Sequence, residues 1–200
     1  MMPGGHLATS IALAGVAYAS TGSAETAAGC FAGGFLIDVD HYLDYLVFEK
    51  QWRRPGPLSF LRYYFTYRPR KLVLPLHSAE FMAFLFLVIV WHPWPLLVGY
   101  WTGALMHLIF DVLVNGDHAL KRAVLFYIFT YRAVNRFDAE NLLALPDTVV
   151  PEGDPVRDFF RWRPAEDVFS AIRRRDRESA KSALAPPPVN SVPESVTEER

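Results

Sequence analysis

The chain has 200 residues, 52% of them hydrophobic, with 20 basic against 21 acidic side chains and a formal net charge of −1. That balance argues against an electrostatic nucleic-acid binder, and a single cysteine, Cys30, excludes an intrachain disulfide. The mean hydropathy of +0.13 hides a division: residues 1–49 contain no Lys or Arg, whereas 185–200 contain almost nothing that can pack.

The first residues, Met-Met-Pro-Gly-Gly-His, put no basic stretch ahead of the first apolar segment, so the N-terminus reads as retained rather than as a cleaved signal. Residues 7–20 are small and apolar and predict a helix. A turn-rich TGSAETAAG follows, and 30–48 predicts a second helix. The connector 50–71 carries seven Lys/Arg and no Asp or Glu, a composition suited to the cytoplasmic surface of a membrane. Residues 76–91 and 96–114 predict two more apolar helices around a Trp-His-Pro-Trp-Pro turn. Beyond them, 119–134 predicts an amphipathic interfacial helix. A loop at 138–164, a charged helix at 165–184 and a disordered tail at 185–200 complete the chain.

The expected fold is therefore all-α: a polytopic membrane-embedded bundle of two helical hairpins within a core of residues 1–137, followed by 138–184 and the tail. These helices are short against the roughly 20 apolar residues of a full span. A soluble all-α core is the competing fold, and the uninterrupted apolar run 81–110 speaks against it.

Function concentrates in a few polar residues. His107 and Asp111 are four apart on one helical face, continuing a stripe that begins at Gly99 and Gly103, and nothing between Glu80 and Asp111 is charged. A carboxylate and an imidazole in such surroundings need a partner from elsewhere in the chain, from water or from a metal. Asp38, Asp40, His41 and Asp44 place three acids and a histidine within seven positions, which repel one another unless a cation is present. His6 and His77 each open an apolar helix, and Glu80 fits either helix N-terminal charge placement or a general base. His92 and His118 lie outside this pattern.

An internal echo links the two halves. His6 precedes Gly29-x-x-x-Gly33 and Asp40, and His77 precedes Gly99-x-x-x-Gly103 and Asp111, with 34 residues from histidine to acid each time. In a two-hairpin arrangement all the His/Asp groups fall at one end, together with the basic connector. That is the composition of a carboxylate–imidazole site for a divalent metal, zinc above all, with His6, Asp38, Asp40, His41, His77, His107 and Asp111 as ligands. Asp44 and Glu80 are the candidate bases.

The same residues carry a family resemblance. An early His, Asp38-x-Asp40-His41 after a Gly-rich helix, His77-Ser78, and a Gly-rich helix ending in His107-x-x-x-Asp111 resemble the bacterial LexA-regulated, inner-membrane-associated, metal-dependent hydrolase-like family. The resemblance covers residues 1–118; Leu72 stands where that family commonly has His, and Ile37 where it has Pro. It implies a membrane-bound, metal-dependent hydrolase of a phosphoester or lipid-like ester, with membrane lipid or an unidentified small molecule as partner. The alternative is a non-catalytic membrane protein with a structural metal site or an ion or proton relay.

Overall fold

Two small-residue stripes meet face to face at the centre of the molecule. The computed structural model describes residues 2–65, 69–143 and 154–160. Among them the chain is all-helical apart from two isolated bridges, Lys71 to Asp138 and Leu120 to Leu143.

Helix α1 spans Pro3–Thr21, with proline in its first turn, and stops at Gly22, whose φ of 67° suits glycine and whose amide returns to Tyr18 O. Helix α2, Ala24–Phe35, starts at once because Ser23 caps it through Thr26 N at 3.1 Å and Glu25 adds charge to its first turn. The expected nine-residue connection is thus two residues long, and its alanines are helical.

Gly29 and Gly33 of α2 pack on Gly99 and Gly103 of α6 (Pro95–Ala119). A Cβ on Gly33 would lie 2.0 Å from Tyr100 O, and one on Gly103 would lie 2.2 Å from Cys30 O. Because Thr26 faces Gly99 and Cys30 faces Gly103, the two helices run parallel. The backbones touch, as in close small-residue helix pairs. Helix α1 packs along α2, and α5 (Ala79–Trp91), capped by Ser78, packs on α6.

The segment expected as one helix over 30–48 is interrupted. A 3-10 turn at Leu36–Asp38 separates α2 from α3, Val39–Val47, and goes with burial of Ile37 in the core beside Leu72, Leu74, Ala104 and Leu108. Leu72 and Ile37 are both core residues. The turn leaves α3 inside out: Asp40, Asp44 and Tyr45 are buried, while Val39, Leu43 and Val47 are exposed, as is Leu36 in the turn itself.

The connector contains α4, Pro57–Tyr64. The single amphipathic helix expected at 119–134 does not form. Instead α6 continues to Ala119, and α7 (Ala123–Phe126) and α8 (Phe129–Val134) follow as short pieces, because Phe126, Tyr127 and Arg132 are all buried and one straight helix cannot bury them together. Helix α9, Ala139–Leu142, adds two more buried residues to the core, and α10, Pro155–Phe159, lies in the expected 138–164 loop. The expected charged helix at 165–184 and the tail at 185–200 lie outside the described residues.

Among the described residues one helix is long and apolar enough to cross a membrane: Pro95–Val114 of α6, with mean hydropathy 1.6 over 20 residues. Helix α5 is more apolar but has 13 residues, about 20 Å of helix.

Candidate metal centre

The site forms where the parallel pair α2 and α6 ends and the chain turns into α3. His107 sits on α6 with no exposure, and its Nδ1 donates to Gly34 O at 2.8 Å, the carbonyl at the end of the α2 glycine stripe. His77, equally buried, precedes the Ser78 cap of α5. Its Nδ1 lies 3.0 Å from both carboxylate oxygens of Asp40. Asp40 Oδ2 also accepts the backbone amides of Leu76 and His77 at 3.1 and 3.3 Å.

Both imidazoles therefore spend Nδ1 on a fixed acceptor, which leaves Nε2 of each as the free nitrogen. These two Nε2 atoms face each other at 3.2 Å. Asp38 Oδ1 is 3.4 Å from His77 Nε2 and 3.5 Å from His107 Nε2, and Asp111 Oδ2 is 3.3 Å from His107 Nε2. Two lone pairs and two carboxylate oxygens converging in this way need positive charge among them, either protons on the imidazoles or a cation. The spacings suit the second. A tetrahedral zinc with bonds of about 2.1 Å sets its ligand atoms ~3.4 Å apart.

The remaining groups surround this centre. His6 Nε2 is 2.9 Å from Asp111 Oδ1, and the His6 ring stacks on His107 with centroids 3.7 Å apart. His6 Nδ1 is buried without a hydrogen bond among the described residues. His41 Nε2 is 3.9 Å from Asp38 Oδ1, and its ring stands edge-on to those of His77 and Tyr64. Two sets of buried or half-buried side chains, His6/His107/Asp111 and Asp38/His41/His77, each offer donor atoms within 4.8 Å of one another and can hold a metal ion. A triangle of atoms 3.2–3.5 Å apart, on His77, His107 and Asp38, spans both sets.

The electrostatics agree. Burial pushes the Asp38 carboxyl up, but His107, His77 and His41 outweigh it and hold it below the usual carboxylate range. Burial pulls His77 down, yet Asp40 and Asp38 lift it to about 10, so without an ion the imidazole keeps a proton.

The structure brings together seven of the nine expected residues and sets two apart. Glu80 accepts Phe129 N at 2.8 Å and Thr130 N at 2.9 Å and so serves the start of α8. Asp44 Oδ2 accepts Val73 N at 2.7 Å and Leu74 N at 3.4 Å, tying α3 to the strand-like segment before His77. Asp40 is inside the cluster but stands behind His77, on the side away from His107.

One participant carries no sequence signal of its role. Arg132, fully buried, donates from Nη1 to His77 O at 3.0 Å and from Nη2 to Leu74 O at 2.8 Å, with its guanidinium over Phe126 at 5.3 Å. It fixes the loop that presents His77. Arginine's planar fork suits two carbonyls that a lysine would serve less well.

Burial lifts the Asp44 carboxyl from 3.8 to about 6. A carboxyl raised in the folded state stabilises fully below its unfolded pKa, and that contribution is lost as pH rises through the folded value. Asp44→Asn retains an oxygen for the Val73 and Leu74 amides without ionising. It should gain on the wild type by about 1–2 kcal/mol between pH 4 and pH 8. Thermal midpoints across that range give the test, and a difference flat with pH would refute it.

Comparison of the chain with known protein families, curated proteins and solved structures finds no match.

Proposed function

We propose that this chain is a membrane-embedded, metal-dependent hydrolase of phosphoesters or lipid-like esters, with zinc held by His77, His107, Asp38 and Asp111. The observation that supports this is the meeting of two imidazole Nε2 atoms at 3.2 Å, each with its Nδ1 already committed and both next to Asp38 Oδ1. When bound, such an ion supplies Lewis acidity and activates water near neutral pH. The chain's own groups prepare the site. Asp40 and Gly34 O fix the tautomers of His77 and His107, and His6 orients Asp111. His41, at the more open edge, is placed to take up and return a proton.

The membrane setting rests on α6, on the apolar α5 and on their outward residues, Phe84, Leu87, Val90, Trp91, Ile109 and Leu113, all exposed. In this reading α1 with α2 and α5 with α6 form two hairpins in a bacterial inner membrane. The seven basic residues of 50–71 keep the cluster on the cytoplasmic side. Reporter fusions at Gly22 and Pro93 should report the outer face and a fusion near Pro57 the inner one; an outer signal at Pro57 would overturn the orientation.

A relay is the second reading, favoured by the unbroken path His6, Asp111, His107, His77, Asp40 with every step at or below 3.3 Å. Metal content of the purified protein, followed by hydrolysis of generic phosphodiester and carboxylester reporters, separates the two. Stoichiometric metal with metal-dependent turnover supports the hydrolase; proton flux across vesicles from a metal-free protein supports the relay.

A further inference from the structure

We propose that the metal centre opens onto the lipid leaflet across the outer face of α3, so that its substrate is the phosphoester headgroup of a membrane amphiphile. This rests on the hydrolase reading for the reaction and on separate observations for the route.

The centre is closed on most sides. His6, His77 and His107 side chains are 2%, 1% and 0% exposed and Asp111 is 12%, whereas Asp38 is 28% and His41 17%. Access is therefore by way of Asp38 and His41, at the start of α3. The surface flanking that opening is aliphatic. Val39, Leu43 and Val47 are 46%, 49% and 61% exposed at helical spacing on the same helix that buries Asp40 and Asp44, and Leu36, in the turn before it, is 53% exposed. In water a helix of this composition would turn the other way, with carboxylates outward and leucines inward. The inversion is stable where the outer medium is hydrocarbon.

The neighbouring charge selects lipid over a protein partner. Lys50, Arg53, Arg54, Arg62 and Arg70, all exposed, lie in the connector that follows α3, and Trp52 there stands 62% exposed with the Arg53 guanidinium 4.8 Å from its ring. Basic residues with an exposed tryptophan beside an apolar stripe match the headgroup boundary of an anionic leaflet. The exposed stripe of α6 at Leu105, Ile109 and Leu113 runs toward the same end, because α6 lies parallel to α2. An acyl chain lying along α3 would place its headgroup at Asp38 and His41.

Full-length protein with Val39→Cys or Leu43→Cys, labelled with a bimane dye and placed in nanodiscs of phosphatidylcholine and phosphatidylglycerol, tests the route. Acyl-brominated lipids should quench the label at least twofold, and iodide in the buffer should do little. The reverse order overturns the proposal. Shielding from both quenchers with a doubled particle mass also overturns it, since a second copy then covers α3.

Turnover separates this inference from the reaction it rests on. Leu36→Glu/Leu43→Glu should slow hydrolysis of a bilayer phosphodiester at least tenfold and leave a water-soluble dinitrophenyl phosphodiester within twofold, with Leu36→Ile/Leu43→Ile restoring the first. Equal loss on both substrates, or on neither, overturns the route while the hydrolase reading stands. If the wild type turns over neither substrate, the hydrolase reading falls and the quenching order alone decides the lipid face.

Discussion

His107→Gln should lower metal affinity on the order of 10²–10³-fold and remove hydrolysis with it, while the helices stay packed. A four-ligand zinc site is worth about 10–16 kcal/mol in all, so one ligand accounts for several. His107 Nε2 lies 3.3 Å from Asp111 Oδ2 and 3.2 Å from His77 Nε2, and glutamine cannot place a donor atom at Nε2 while satisfying Gly34 O. Asp40→Asn provides the scale. It leaves the ligand atoms in place but weakens the hold on His77, and should cost about 10–100-fold. Metal analysis after dialysis against graded chelator reads both. A wild type that binds no stoichiometric metal and a His107→Gln protein that melts higher would sink the metal reading and leave the relay.

Gly103→Val should destabilise the α2–α6 contact by at least about 3 kcal/mol. The added Cβ would meet Cys30 O at 2.2 Å and Gly34 N at 2.7 Å. Those are backbone atoms of a neighbouring helix, so no rotamer change relieves them, and Gly34 O also holds His107. Loss of metal should accompany loss of fold. Gly15→Ala is the control: nothing lies within 4 Å of its Cβ position in α1, and alanine should stabilise that helix by about 0.5–1 kcal/mol. Thermal midpoints in detergent compare them, and a Gly103→Val protein melting near the wild type would show that the helices are not in contact.

The glycine stripes and the polar cluster were legible because each depends on a local spacing. Four-residue steps put Gly29 with Gly33, Gly99 with Gly103, and His107 with Asp111 on shared faces whatever the rest of the chain does. The repeat of histidine and acid at the same interval marked the residues that meet. What the sequence did not show is which carboxylates face the centre and which serve the backbone. Asp44 and Glu80 match their neighbours in residue type, but their partners are amides 29 and 49 or more positions away, and amides look alike in every residue. Arg132 escaped for the same reason, since both its partners are carbonyls. The break at Leu36–Asp38 has no proline or glycine within it; it follows from burial of Ile37, a tertiary event.

The two histidine–acid pairs are exchanged between halves: His6 bonds Asp111, and His77 bonds Asp40. A growing polypeptide that has delivered α1 to α3 thus holds an imidazole, His6, and a carboxylate, Asp40, whose bonded partners do not yet exist. Neither finds its bonded partner within residues 1–47, so these two polar contacts wait on the second half. His77 relieves Asp40 as α5 begins, and only synthesis through Asp111, near the end of α6, relieves His6. Closure of the polar centre therefore needs the chain through Asp111: a chain cut before α5 keeps α1 to α3 but lacks the groups that His6 and Asp40 bond here.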